Sequence, residues 1–235
     1  MNEDRRIQLL SQWHHRLGHI SGPKLRALAA HNVIPSILKD VELPLCKSCL
    51  LSTAHRKAWR HKGDNNHIAP KPCKQAGDVV SVDHLQSSTP GLVGQTSGRL
   101  TRARYMGATV FIDHHSSLSF VALMKELSTE ATIEAKEKFE KFATSHGVRV
   151  LHYHGDNGRF ADKLFVARVE ADGQTISYCG VGAHHQNGHA EKRIRDLQDT
   201  ARTAMVHRNS SRISVVLVEL CVDFVFDVSK YSICI

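Results

Sequence analysis

Between residues 13 and 49 the chain sets histidines against a cysteine pair, and no other feature limits its first third as strongly. Trp13-His14-His15-Arg16-Leu17-Gly18-His19 is followed by Cys46-Lys47-Ser48-Cys49. Zinc takes four tetrahedral nitrogen and sulfur ligands, commonly two His and two Cys drawn from separate elements. His14, His19, Cys46 and Cys49 satisfy that count, with His15 the rival to His14 because neighbours on a helix face different sides. The bland alternative is a set of surface histidines beside a redox pair. A redox Cys-x2-Cys should follow a strand, whereas this one follows Leu43-Pro44-Leu45. Few large apolar side chains lie in the first 75 residues, and so small a core needs a staple.

Charge divides the chain in the same place. Residues 1–75 carry 13 Lys and Arg against five Asp and Glu, which accounts for the whole net charge of +8. Residues 76–187 carry 11 against 12. The basic third points to a polyanionic partner. The segment 52–75, with His55-Arg56-Lys57 and Arg60-His61-Lys62, reads as a basic linker. The N-terminus, Met-Asn-Glu-Asp-Arg-Arg, lacks the apolar core of a signal peptide, so neither secretion nor a disulfide framework is expected. Ile213 to Val228, the most apolar stretch, is broken by Glu219, Asp223 and Asp227, so no membrane span is expected.

Periodicity supplies the elements. Ile7, Leu10, Trp13 and Leu17 mark one helix, and Ser21-Gly22-Pro23 opens another that Asn32 stops. Alternation predicts strands over 78–85, 108–113, 119–124, 148–154 and 175–179. Residues 87–105 read as a loop, and Asp156-Asn157-Gly158 as a tight turn with positive φ. Ser128 caps a helix to His146. A short helix covers 161–171, and a last one runs from Gly188 to His207 with Ile194, Leu197, Ala201 and Ala204 inward. Three consecutive strands make an antiparallel meander, and strands separated by helices add in parallel.

Three carboxylates stand out on this frame. Asp83 lies inside a strand, where propensity disfavours it. Asp156 follows the fourth strand, and Glu191 sits in the first turn of the last helix. Clustered acids repel unless a cation lies between them, and oxygen-rich sites select Mg²⁺ or Mn²⁺. Two such ions suit phosphoryl transfer.

The chain resembles the integrase of copia-type LTR retrotransposons over about residues 12–208. Trp13 to His19 with Cys46-Lys-Ser-Cys49 is similar to the family's HHCC, GAG-pre-integrase-like zinc region, set at 1–51. Asp83, Asp156-Asn157-Gly158 and Gln186-Asn187-Gly188-His189-Ala190-Glu191-Lys192 are similar to its DDE catalytic core, set at 76–208. The resemblance implies an α/β fold: an RNase H-like core, a mixed five-stranded sheet with flanking helices, preceded by a small helical zinc-binding region. It implies trimming of element DNA 3′ ends and their joining to host DNA. It implies two Mg²⁺ or Mn²⁺ ions on Asp83, Asp156 and Glu191, and structural Zn²⁺ on His14, His19, Cys46 and Cys49. Asn187, Lys192 and Arg195 would lie near DNA, although Arg195 is also spaced for a helix ion pair with Glu191. Double-stranded DNA (element ends and target), a homo-oligomer and a nuclear location follow from the reaction. The spacing of 34 residues between Asp156 and Glu191 is one shorter than the family's. Residues 209–235 depart from the family, so a truncated element, a frameshift or a mispredicted exon is expected. The competing expectation is an inactive or domesticated zinc-containing nucleic-acid-binding remnant. A ribonuclease H or transposase is a third reading.

Overall fold

A computed structural model describes residues 2–54, 73–92, 102–179 and 187–207. The basic run 55–72, Gln186 and the tail 209–235 lie outside the described residues.

The first region is three helices: α1 (Glu3–Arg16), α2 (Gly22–Ala30) and α3 (Lys47–Ser52). Asn2 caps α1 by accepting from the Arg5 amide, and Glu3 and Asp4 meet the positive end of the helix dipole. Ser21 and Pro23 start α2, and Asn32, at φ 59°, follows its end as expected. Leu10, Leu25, Leu28, Ala29, Ile34, Leu38 and Val41 form the small core between them.

The second region is a five-stranded sheet in the order β3-β2-β1-β4-β5. Its strands are β1 (Val80–Leu92), β2 (Arg104–Asp113), β3 (Ser119–Met124), β4 (His152–Gly155) and β5 (Thr175–Tyr178). β1–β2 and β2–β3 pair antiparallel, whereas β1–β4 and β4–β5 pair parallel. Three helices flank it: α4 (Thr129–Ser145), α5 (Lys163–Ala171) and α6 (Gly188–His207).

The strand period of two splits β1 between two faces. Val80 and Val82 join Phe111, Phe139, Tyr153, Phe160, Phe165 and Val169 in the main core under α4 and α5. Ser81 and Asp83 register with Ile112 and Val110 on the other face, where Val110 and Ile112 pack with Ala190 and Leu197 of α6. The carboxylate of Asp83 therefore arises on the face that α6 covers.

The structure corrects the sequence reading in three places. Within the loop expected over 87–105, β1 continues to Leu92 and β2 begins at Arg104, with Gly91 paired to Tyr105 and Leu92 to Arg104, and residues 93–101 lie outside the described residues. A shift of register between Gln86 and Gly91 admits Pro90, which cannot donate to a ladder. The turn after Asp156 uses no positive φ. Gly158 has φ −78° and ψ −119° and opens a 3₁₀ turn over Arg159–Ala161. A Cβ at Gly158 would lie 3.0 Å from Asp156 Oδ2, so the glycine makes room for the carboxylate. On α6, Leu197 and Ala201 are buried as expected, but Thr203 and not Ala204 completes the buried face.

Thr203 faces the first region. The hydroxyls of Ser52 and Thr203 hydrogen-bond, and Arg202 Nη1 donates to the Ser52 carbonyl at 3.1 Å. The His207 ring lies 4.3 Å from His15 and 4.9 Å from His19.

Candidate metal centre and carboxylate site

Four donors converge in the first region. Gly18 and His19 both take positive φ, 67° and 63°, so the chain curls back after α1 and the His19 amide donates to the His14 carbonyl at 2.7 Å. His19 Nδ1 then lies 3.1 Å from His14 Nε2. Cys46 caps α3 and Cys49 lies in its first turn, and their sulfurs reach the same point. Cys46 Sγ is 3.5 Å from His19 Nδ1, and Cys49 Sγ is 3.3 Å from His14 Nε2 and 3.5 Å from His19 Nδ1. Ligands of a tetrahedral zinc, each about 2.0–2.3 Å from the ion, lie roughly 3.3–3.8 Å apart. The four donors thus stand close to the edges of such a tetrahedron and fit that ion.

His14, not its rival His15, belongs to the group. Its Nδ1 donates to the Ile20 carbonyl at 2.8 Å, which leaves Nε2 as the free lone pair. A hydrogen bond of this kind orients most metal-binding imidazoles. Burial, then the bond to and charge of Cys46, push the Cys49 thiol up to about 12. Burial, then His14 and His207, hold His19 down at about 4. A cation at the centre would draw protons off the thiols, and the imidazoles already favour the neutral, ligating form.

The carboxylates are arranged by the parallel ladder. Val80 pairs with Tyr153 and Ser81 with His154, so the same offset sets Asp83 beside Asp156 just past the end of β4. Tyr178 pairs with Gly155, and the Cys179 amide donates to Gly155 O at 3.0 Å, which brings Cys179 next in line. Asn157 Nδ2 donates to the Cys179 carbonyl at 2.9 Å and fixes the turn. Asn187 Nδ2 donates to Val82 O at 3.0 Å, which ties the start of α6, and with it Glu191, to β1. The Cys179 thiol is held above its usual range by burial first, then by Asp156, Asp83 and Glu191. One thiol therefore feels all three charges.

Asp83, Asp156 and Glu191 do not bring one oxygen each within 4.8 Å of one another. Among the described residues, only His14, His19, Cys46 and Cys49 bring three or more ligand atoms within 4.8 Å of one another. Asp83 Oδ1 accepts from the His84 amide at 2.8 Å. Asp156 Oδ1 is buried with no hydrogen-bond partner among the described residues, an acceptor suited to a cation. Lys192 and Arg195 are exposed, and Arg195 makes no ion pair with Glu191 among the described residues. Asn187, expected near DNA, is 3% exposed and holds helix to strand. Asp113, the other acid of the meander, is structural: it accepts from the Gly77 and Ser116 amides.

Residues 8–53 match the GAG-pre-integrase domain. The sheet region is similar to solved integrases. The intasome of simian T-cell lymphotropic virus, in complex with PP2A regulatory subunit B56 gamma, is 15% identical at a TM-score of 0.51, over 86% of this chain and 67% of that one. The catalytic core of bovine BIV integrase is 18% identical (TM-score 0.43, 62% and 81% covered). That of HTLV-2 integrase, solved with magnesium as a trimeric form, is 14% identical (TM-score 0.41, 62% and 82%). The second region thus shares the mixed sheet and flanking helices of an integrase core, the RNase H-like fold, and follows residues that match the GAG-pre-integrase domain. No helix among the described residues is long and apolar enough to cross a membrane.

The sequence did not single out the imidazoles that lie around Asp156 and Cys179. His84 stacks on Phe160 at 4.3 Å and is held at about 4 by burial, against the pull of Asp156. His152 and His154 share the Ser177 hydroxyl at 2.8 and 2.9 Å, and His154 Nε2 lies 3.6 Å from Cys179 Sγ. The available signal was the two-residue alternation of His152, His154, Asp156 with Thr175, Ser177, Cys179.

Proposed function

We propose that this chain is a copia-type integrase, a DDE polynucleotidyl transferase that joins element DNA 3′ ends to host DNA. The reading is supported above all by the register of β1 and β4, which carries Asp83 and Asp156 to the same end of the sheet, and by α6, which bears Glu191, being fastened to β1 through Asn187. Asp83, Asp156 and Glu191 would hold two Mg²⁺ or Mn²⁺ ions, which activate the attacking oxygen and stabilise the leaving one when bound. Asp156 offers its unpartnered oxygen, Gly158 leaves it space, and Asn187 positions rather than binds. Lys192 and Arg195, exposed on the same helix, would meet phosphates. His14, His19, Cys46 and Cys49 would hold a structural Zn²⁺. The reading carries with it double-stranded DNA as partner, a multimer that pairs two ends, and action in the nucleus.

The test is strand transfer of double-stranded oligonucleotides in Mg²⁺. The parent chain joins ends, and Asp156→Asn falls by on the order of 100-fold or more. Equal activity in both overturns the catalytic assignment. A second reading, a zinc-containing nucleic-acid-binding remnant, is favoured by the contrast between the assembled His/Cys group and the spread carboxylates. DNA binding independent of Mg²⁺, with no transfer by the parent, would select it.

A further inference from the structure

α6 is anchored at two ends by two different parts of the molecule. Its first half lies on the sheet. Ala190 and Leu197 join Val110 and Ile112 in a cluster of four buried residues, against twelve in the core on the opposite face. Asn187 donates to Val82 O, and Arg193 Nε donates to Ser119 Oγ at 2.7 Å. Its second half leaves the sheet and lies on α3. Ser52 and Thr203 are 2% and 3% exposed, so their hydroxyls need partners, and they find each other. Ser52 Oγ also lies 3.2 Å from the carbonyl of Cys49, one of the four donors. Thr203 Oγ1 donates to Asp199 O at 2.8 Å, and Arg202 joins Asp199 to the Ser52 carbonyl.

α3 has six residues, too short to be stable alone, and the donor group at its start is what can hold it. The path from donors to acid is therefore continuous: Cys49, Ser52, Thr203, then twelve residues of helix, about 18 Å, to Glu191. A helix is cooperative, so loosening one end raises fraying along it.

We propose that the His14-His19-Cys46-Cys49 centre sets the order of α6, and so of Glu191, through the positioning pair Ser52 and Thr203. This rests on the zinc reading above. Metal at the centre fixes α3, α3 fixes the far half of α6, and the near half carries Glu191 on the sheet face that bears Asp83.

Amide hydrogen exchange on the full chain tests it, with zinc content measured on the same samples. In the zinc-loaded chain α6 is protected. Chelation speeds exchange over 199–207 by about tenfold or more and over 189–193 by about threefold, while α4 is unchanged. Thr203→Val, with zinc still bound, reproduces both accelerations, and Thr203→Ser, which keeps the hydroxyl, restores protection. A contact of only local importance would move 199–207 and leave 189–193 alone, and that result overturns the proposal. So does a Thr203→Val chain that matches the parent. A chain that takes up no zinc overturns the zinc reading itself, which the metal measurement reports separately.

Discussion

The two regions reach a fixed structure by different means. The first buries seven apolar residues and gathers four nitrogen and sulfur donors at one point. The second buries twelve on one face of a sheet, with Phe111 stacked on Phe139 at 4.7 Å and Phe120 and Tyr153 beside it. One depends on directional ligation and the other on area removed from water. The difference teaches where each is vulnerable: the first to loss of a single donor, the second to loss of packing volume.

The largest expected effect comes from removing a donor. Cys49→Ser deprives the first region of a centre worth on the order of 10 kcal/mol when zinc is bound. Residues 8–53 should lose exchange protection while α4 and β1–β3 keep theirs. Simultaneous loss of both regions would break the comparison. Next is Phe111→Ala, which empties the centre of the sheet core. It should cost about 3–5 kcal/mol in a denaturant titration that follows the sheet. It should leave the stoichiometry of zinc uptake untouched.

The smallest effect sharpens the contrast through pH. Burial, then His189 and His154, hold His114 at about 4, and its Nε2 shares a hydrogen bond of 2.7 Å with Ser81. The unfolded chain binds that proton below its ordinary value near 6.5, and the folded chain does not until about 4. His114 thus makes stability fall as pH drops from about 6.5 to about 4. His114→Gln should flatten the melting-temperature profile in that window. An unchanged profile would remove His114 from the account.

Much of the candidate site was legible in the residues. Asp83 was conspicuous because a strand interior disfavours aspartate, and the four donors because zinc demands that set. What the residues did not reveal were relations between distant segments. The choice of His14 over His15 depends on the curl at Gly18 and His19. Asn187 read as a DNA contact and is a buried tie to Val82. Thr203, one polar residue among several on α6, has meaning only because Ser52 lies opposite. The far end of β1, residues 87–92, reads as loop in the sequence because Ser, Thr, Gly and Pro are turn formers, whereas pairing of Gly91 and Leu92 with Tyr105 and Arg104 extends the strand.

By itself the sequence determined the elements, their order and the residue types able to ligate, since caps, periodicity and donor chemistry are properties of a few consecutive residues. Only the tertiary structure decided the register of β1 against β4, the tether of Asn187 to Val82 at the start of α6, and the docking of α3 on α6. Those depend on hydrogen bonds and burial between segments up to about 150 residues apart, as between Ser52 and Thr203, where no local pattern carries the partner's identity.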